Sequence, residues 1–314
     1  SFNTTHFLTP FDSGGSSQVL RAAFDMPAVG DLRSRLMALA DESDLGQPDI
    51  YALFSHRFAR EASDAALRAE VAALIDGRHP LIRAVAQPMR ALILTDLARF
   101  AAAAPAGFDY RHASVGNLIL AGGYLGHDRA LEPVLFLMSK MVDVRGTVRA
   151  VVDANLHLGA ELADGRVVIG QREMTGKETA PLSAPITRLF LSDGQAEVPR
   201  AEVPLPARNE HEIARADLIC YPPGSLFSSV LANLLPAGVG RAIAATQVPK
   251  VYVPSLGADP ECIGLTLADQ VGHLIEVLRA DAGQGIPVDW LVSHVICDTQ
   301  ISEEAAAAVS VRHG

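Results

Sequence analysis

The sequence predicts an α/β protein of the doubly wound kind. Short apolar runs, rich in β-branched and large aliphatic residues as buried parallel strands are, alternate with longer segments of helical period. A third feature, one stretch of strict apolar–polar alternation followed by Asp-Gly, predicts a small antiparallel insert in the otherwise parallel pattern.

In chain order, His6–Pro10 is the first predicted strand. Asp12-Ser13-Gly14-Gly15-Ser16-Ser17 follows as a loop, and Gln18–Phe24 as a helix. Helical period then predicts helices over Asp31–Glu42, Ala62–Ile75 and Pro88–Ala104, and Leu118–Leu125 reads as an apolar helix. Leu156, Leu158, Ala160 and Leu162 alternate with more polar positions, and Asp164-Gly165 suits the positive φ of a tight turn before Arg166–Gly170. The insert is therefore expected over Thr147–Glu202, inside one domain spanning residues 1–314. The three prolines of Glu197–Arg208 predict an extended return to the main sheet. Strands Ala216–Tyr221, Lys250–Val253 and Val288–Ile296 alternate with helices Ser225–Leu235 and Leu265–Arg279, and the Ala run Glu303–Val309 predicts a terminal helix.

Composition narrows the function classes. With 49% hydrophobic and 20% charged residues the 314-residue chain can bury a large core, one built mostly of Ala, Leu, Val and Ile because only 5% is aromatic. Net charge is −10 and no basic run occurs, which argues against nucleic acid as a partner while leaving a small anion open. Cys220, Cys262 and Cys297 show no metal spacing. Cys220 and Cys297 lie in apolar runs and read as buried free thiols of a reducing compartment. No signal peptide or bilayer-length apolar run is present, so a soluble, cytoplasmic protein without a membrane partner is expected.

Four loops carry candidate chemistry, and each has a structural alternative. Asp12 to Ser17 places two glycines, three hydroxyls and a helix start after a strand, which suits phosphate; the alternative is an ordinary loop with Ser17 as a cap. Asp12 is the candidate Mg²⁺ ligand. Pro223-Gly224-Ser225, with Ser228, Ser229 and Asn233 behind it, leaves the carboxyl end of a predicted strand, where ligands of open α/β sheets bind; it is equally turn punctuation with Ser225 as a cap. Asp31 complements a helix dipole, and Arg33 either clamps a phosphate or pairs with a carboxylate. Ser114-Val115-Gly116-Asn117 offers Asn117 to a base or sugar; alternatively Ser114 caps the helix and Gly116 permits close packing. A Gly-x-Ser-x-Gly elbow and a Walker-type loop are both absent, and His112, His127 and His211 are isolated.

The order of these loops resembles the CofD/YvcK family, which contains 2-phospho-L-lactate transferase and the YvcK-type gluconeogenesis factors. The likeness runs from Asp-Ser-Gly-Gly-Ser-Ser through Pro27-Ala28-Val29-Gly30-Asp31-Leu32-Arg33 and Ser114-Val115-Gly116-Asn117-Leu118. It is densest over Ala216–Ile219 and Pro223–Leu235, and persists through Pro249–Val253 and Gly264–Asp269. The resemblance implies a Rossmann-like, mostly parallel sheet flanked by helices, usually in a homodimer. It further implies a nucleotide or nucleotide-sugar, held at the C-terminal ends of parallel strands, as the small-molecule partner. One branch moves a phospholactyl group from a guanylylated donor to a deazaflavin with Mg²⁺; the other binds a UDP-sugar and acts in control of metabolism.

Gly14 to Ser17 and Pro223-Gly224-Ser225 match the YvcK-like branch, whereas Ser13 replaces the second acid of the transferase motif. Pro222 stands where Gly is usual and Ser255 where Asn is usual. Family members usually open with a strand and a Gly-Gly-Thr-Gly-like loop ahead of the region corresponding to Thr9, and this chain starts inside the second such unit. Three readings follow: a metabolic regulator that binds a phosphate-bearing nucleotide or nucleotide-sugar, a phospholactyl-type transferase, and an assembly subunit with a vestigial pocket.

Overall fold

A computed structural model describes residues 2–43, 46–176, 180–255, 257–298 and 301–313. Within the expected insert, residues 177–179 lie outside the described ones. The chain divides into two compact units, Ser1–Asn155 and Leu156–Gly314.

The first unit runs β1 (Thr5–Leu8), α1 (Gly15–Phe24), α2 (Gly30–Ala38), α3 (Pro48–Ser55), α4 (Asp64–Ile75), α5 (Pro80–Ala84), α6 (Met89–Ala103), α7 (Val115–Gly126), α8 (Leu131–Met141) and β2 (Thr147–Ala150). β1 and β2 pair in parallel, Thr5 opposite Thr147 and Leu8 opposite Ala150. Thr147–Ala150, expected in the antiparallel insert, thus belongs to the sheet of β1. The helices α1 to α8 between the two strands form the crossover that parallel pairing requires. At its centre lies α7, buried without interruption from Val115 to Tyr124 because its sequence is apolar almost all round, Asn117 excepted. Gly122 lets α6 approach: a methyl there would overlap the Asp96 carbonyl oxygen and lie 2.7 Å from its carbonyl carbon. Phe24, Phe100, Phe108 and Tyr110 form an aromatic knot beside aliphatic side chains, Phe100 and Phe108 meeting edge to face at 5.3 Å.

The second unit begins with β3 (His157–Leu162), β4 (Val167–Ile169), α9 (Gln171–Thr175), β5 (Ile186–Ser192) and β6 (Glu197–Val198). These strands form one antiparallel sheet in the order β4-β3-β5-β6. Its first turn is the one that Asp164-Gly165 announces, with Gly165 at φ +84° and Gly159 paired to Ile169. Next come α10 (Ala207–Ala214), β7 (Ile219–Tyr221), α11 (Val239–Ala245), β8 (Lys250–Tyr252), α12 (Leu267–Ala282), β9 (His294–Val295) and α13 (Glu303–His313). β7, β8 and β9 pair in parallel in that order. The architecture is therefore α/β, but helix outweighs strand. Among the described residues the parallel strands fall in sets of two and three beside a four-stranded antiparallel sheet, rather than in one mostly parallel sheet.

Further local expectations change. Val288–Ile296 contains a 3₁₀ turn at Val288–Trp290 before the short β9, because Pro287 and the turn it opens leave only His294–Val295 free to pair. Cys220 is exposed and Cys297 only half-buried, where both were expected to be buried; strand alternation turns Cys220 away from the face of buried Tyr221. Among the described residues no helix is long and apolar enough to cross a membrane.

α12 starts with a reciprocal cap. Thr266 Oγ1 accepts from the Asp269 N–H at 3.2 Å, and Asp269 Oδ2 accepts from the Thr266 N–H at 2.9 Å. Thr266→Ala is expected to lower the unfolding free energy by about 1 kcal/mol, measured by urea denaturation. Asn at this position should retain most of that stability.

Candidate functional site

In the first unit three helix starts converge. After β1 the chain turns at Asp12, whose Oδ1 accepts from the Gly14 N–H at 2.8 Å. Buried Arg21, one and a half turns into α1, donates to the carbonyls of Phe11 and Asp12 and ties the loop down from behind. Gly15 takes φ +49°, a left-handed conformation that costs glycine little, and so α1 begins there without a side-chain cap. α2 also begins without one, at Gly30. A methyl on Gly30 would overlap Ser17 Oγ and lie 3.1 Å from Asp12 Oδ2; glycine lets the two helix starts touch.

One turn along α2, Arg33 is 7% exposed. Its stem crosses Gly116, where a methyl would lie 2.8 Å from Arg33 Cδ and 2.7 Å from the Phe54 carbonyl oxygen. Burial, then the nearby Arg57 charge, lowers its pKa to about 10, while Asp31 and Tyr51 oppose the shift. It remains a cation at neutral pH. Its Nη2 donates to Ser34 Oγ at 3.3 Å, and its Nε has no partner among the described residues.

The third helix start is that of α7, where Ser114 is the cap, accepting from the Asn117 N–H at 3.1 Å. Asn117, 1% exposed, donates through Nδ2 to Ser16 Oγ at 3.0 Å, and its Oδ1 has no partner among the described residues. Asp12, Ser16, Ser17, Arg33, Gly116 and Asn117, predicted from sequence, thus stand in one contiguous arrangement, with Gly14, Gly15, Asp31 and Ser114 on the loops and first turns that hold it. Gly30 and Arg21, which only the tertiary arrangement explains, complete it. Chemically this is a concentration of helix-start N–H groups and two buried cations, Arg21 and Arg33, with one donor on Arg33 and one acceptor on Asn117 left over.

In the second unit, Pro223, Gly224 and Ser225 lead from β7 into a π turn at Leu226–Val230 and a 3₁₀ turn at Leu231–Leu234, in place of the expected regular helix. Carboxylates reshape it. Asp259 Oδ2 accepts from the Leu226 N–H at 2.8 Å, and Glu261 Oε2 accepts from the Phe227 and Ser228 N–H groups at 3.0 and 2.8 Å. Ser228 Oγ donates to the other Glu261 oxygen. The first-turn amides are thus taken by the protein's own acids, and Ser228 is committed with them. Ser255 Oγ donates to the Gly224 carbonyl at 2.8 Å, and Asn233 Nδ2 donates to the Ser229 carbonyl at 2.8 Å, leaving Asn233 Oδ1 without a partner among the described residues. Sequence reasoning missed Asp259 and Glu261: acids in a polar loop carry no local mark of a buried role. Burial is also what raises the Glu261 pKa, against the lowering effect of its hydrogen bonds. Elsewhere in this unit a cavity of about 280 Å³ opens beside Val271, Val292, Cys297 and Val309, and no predicted site residue lines it.

The first unit holds one further cluster, absent from the sequence reading: His56, Glu70 and His79 offer ligand atoms within 4.8 Å of one another, a candidate divalent-cation site.

Comparison with known proteins agrees with the resemblance read from the loops. The chain is 31% identical over 277 residues to the gluconeogenesis factor of Bacillus subtilis, covering 86% of this chain and 66% of that protein. It is 30% identical over 292 residues to that of Halalkalibacterium halodurans, covering 92% and 69%. The chain thus spans about two thirds of the length of these relatives. A crystal structure of a UPF0052 family member from Bacillus halodurans superposes with a TM-score of 0.66 at 25% identity, over 99% of this chain and 77% of that one. The family model described as 2-phospho-L-lactate transferase CofD matches residues 2–313, and the chain belongs to that family.

Proposed function

We propose that the chain binds a phosphate-bearing nucleotide or nucleotide-sugar and acts as a metabolic regulator of the YvcK type. The observation that carries this reading is the convergence of the α1, α2 and α7 starts around buried Arg33 and Asn117. A buried polar atom without a partner costs about 1–3 kcal/mol, so a donor on Arg33 and an acceptor on Asn117, each without a partner among the described residues, favour a ligand that reaches and satisfies them. Uncapped helix starts and a guanidinium favour phosphate, while the Asn117 acceptor suits a sugar hydroxyl or a base N–H. In the second unit, Ser225, Ser229 and Asn233 are proposed contacts as well, because π turns recur at functional positions. The relatives' name, gluconeogenesis factor, supports a role in carbon metabolism.

Asp12 fits Mg²⁺. With Oδ1 engaged by the Gly14 N–H, Oδ2 lies against Gly30 on the side of Ser17 Oγ, two oxygens of the kind this ion takes together with phosphate. When bound, the ion would neutralise phosphate charge.

Thermal shift and calorimetry with UDP, UDP-sugars, GDP and inorganic phosphate test the reading. At about 100 times Kd a nucleotide should stabilise the protein by about 2.7 kcal/mol. Arg33→Met is expected to weaken binding roughly 10- to 100-fold, the worth of a charge-assisted hydrogen bond. Absence of stabilisation by every nucleotide at saturating concentration, with and without Mg²⁺, would overturn the proposal. Release of GMP from a guanylylated phospholactate donor, dependent on Asp12, would move the assignment to the transferase reading.

A further inference from the structure

We infer that His56, Glu70 and His79 form a transition-metal site of the zinc type that clasps three successive helices of the first unit. The ligands come from three elements: His56 directly follows α3, Glu70 lies in the middle of α4, and His79 immediately precedes α5. His56 Nε2 is 2.7 Å and His79 Nε2 is 3.8 Å from the same oxygen, Glu70 Oε1. The two imidazole centroids are 5.7 Å apart. Tetrahedral coordination with bonds of about 2.0–2.1 Å needs ligand atoms roughly 3.3 Å apart, and the two observed separations bracket that value. Two imidazoles and one carboxylate with a fourth position left to water make a ligand set that suits Zn²⁺, Co²⁺ or Ni²⁺ and not Mg²⁺ or Ca²⁺, which take oxygen. All three side chains are partly exposed, at 31%, 29% and 16%, so an ion can enter from solvent.

The backbone around the cluster is already fixed. The His56 N–H donates to the Ala52 carbonyl at 3.0 Å, the His56 carbonyl accepts from the Val115 N–H at 2.9 Å, and Arg57 bridges Ser114 in an antiparallel contact. A metal at His56 would therefore brace the strand-like segment that seats the start of α7. One local bond opposes it. His79 Nδ1 accepts from the Leu81 N–H at 3.2 Å, capping α5, and coordination through Nε2 puts the ring proton on Nδ1 and ends that bond. Loss of one cap lowers the affinity by about tenfold, small beside the binding strength of zinc sites. It also supplies a signature: the Leu81 amide should exchange faster with solvent when metal binds. None of the three ligands is among the residues proposed to hold the nucleotide, so the two proposals stand or fall separately.

The test uses the untagged 314-residue chain, stripped with chelator and titrated with Zn²⁺ or Co²⁺. Expected are one equivalent bound, the visible absorption of four-coordinate Co²⁺, a raised melting temperature, and an affinity at least about 100-fold weaker in His56→Gln or His79→Gln. No uptake at one equivalent, or undiminished uptake in the double variant, would overturn the site. Should that variant fail to fold, X-ray absorption of the zinc-loaded natural sequence decides: two imidazoles and no sulfur are expected, and fewer than two imidazoles or any thiolate ligand refutes it.

Discussion

Gly122→Ala is expected to remove about 3 kcal/mol of unfolding free energy from the first unit, the upper end of overpacking costs. The added methyl would overlap the Asp96 carbonyl oxygen and crowd Phe100 Cβ at 3.2 Å. A backbone oxygen inside α6 cannot rotate away as a side-chain tip can, so α6 and α7 must move apart along their contact. That opens gaps around Ile93, Leu97 and Leu118, all buried to 2% exposure or less. The lone tryptophan, Trp290, lies in the second unit and is a poor reporter here. Far-UV circular dichroism in urea is the appropriate measurement. An unchanged midpoint in the Gly122→Ala variant would mean that the helices do not meet at this glycine. Because α7 also carries Asn117, the nucleotide binding proposed for this site should weaken with stability in this variant.

Glu261→Ala is expected to cost about 3–5 kcal/mol, the larger of the two effects and confined to the second unit. The carboxylate, 1% exposed, accepts from Phe227 N–H, Ser228 N–H and Ser228 Oγ, and removing it leaves three buried donors unanswered where water does not reach. Glu261→Gln keeps an acceptor for the two amides and should lose markedly less. A pH dependence accompanies this. Burial raises the pKa of Glu261 in the folded chain above its unfolded value. Its contribution to stability is therefore full below the unfolded pKa and declines as pH rises through the folded one. The Glu261→Gln variant should lack that component of the stability–pH profile. Denaturation followed by Trp290 fluorescence across the acid range measures both effects. A profile for Glu261→Gln that runs parallel to that of the natural sequence would show that Glu261 does not titrate as described.

The fold is legible where the signal is local. Thr266 and Asp269 sit three residues apart at a helix start, and Asp164-Gly165 marks a hairpin tip, because caps and tight turns are satisfied by neighbours in sequence. Six helices, α3, α5, α8, α9, α10 and α11, escape the sequence reading: all but α8 span eight residues or fewer, too short for a clear period, whereas α8 buries Leu131, Val134, Leu135, Met138 and Met141 at a helical spacing that was legible. The π turn at Leu226–Val230 reads as ordinary helix because its residues permit one, and the two carboxylates that intercept its first amides lie more than 30 residues later.

The sequence by itself determined the family, the loops that carry chemistry, and the residue types suited to phosphate. Tertiary structure alone decided which of those residues meet. Ser16 and Asn117 are 101 residues apart in the chain yet share a hydrogen bond, and Gly30 is required only because Ser17 and Asp12 occupy the space of its missing methyl. It alone made Glu261 a buried cap, and it alone brought His56, Glu70 and His79 within reach of one ion. The reason is physical: a backbone turn is chosen by the few residues that form it, whereas the burial of a charge depends on groups that packing delivers from elsewhere in the chain.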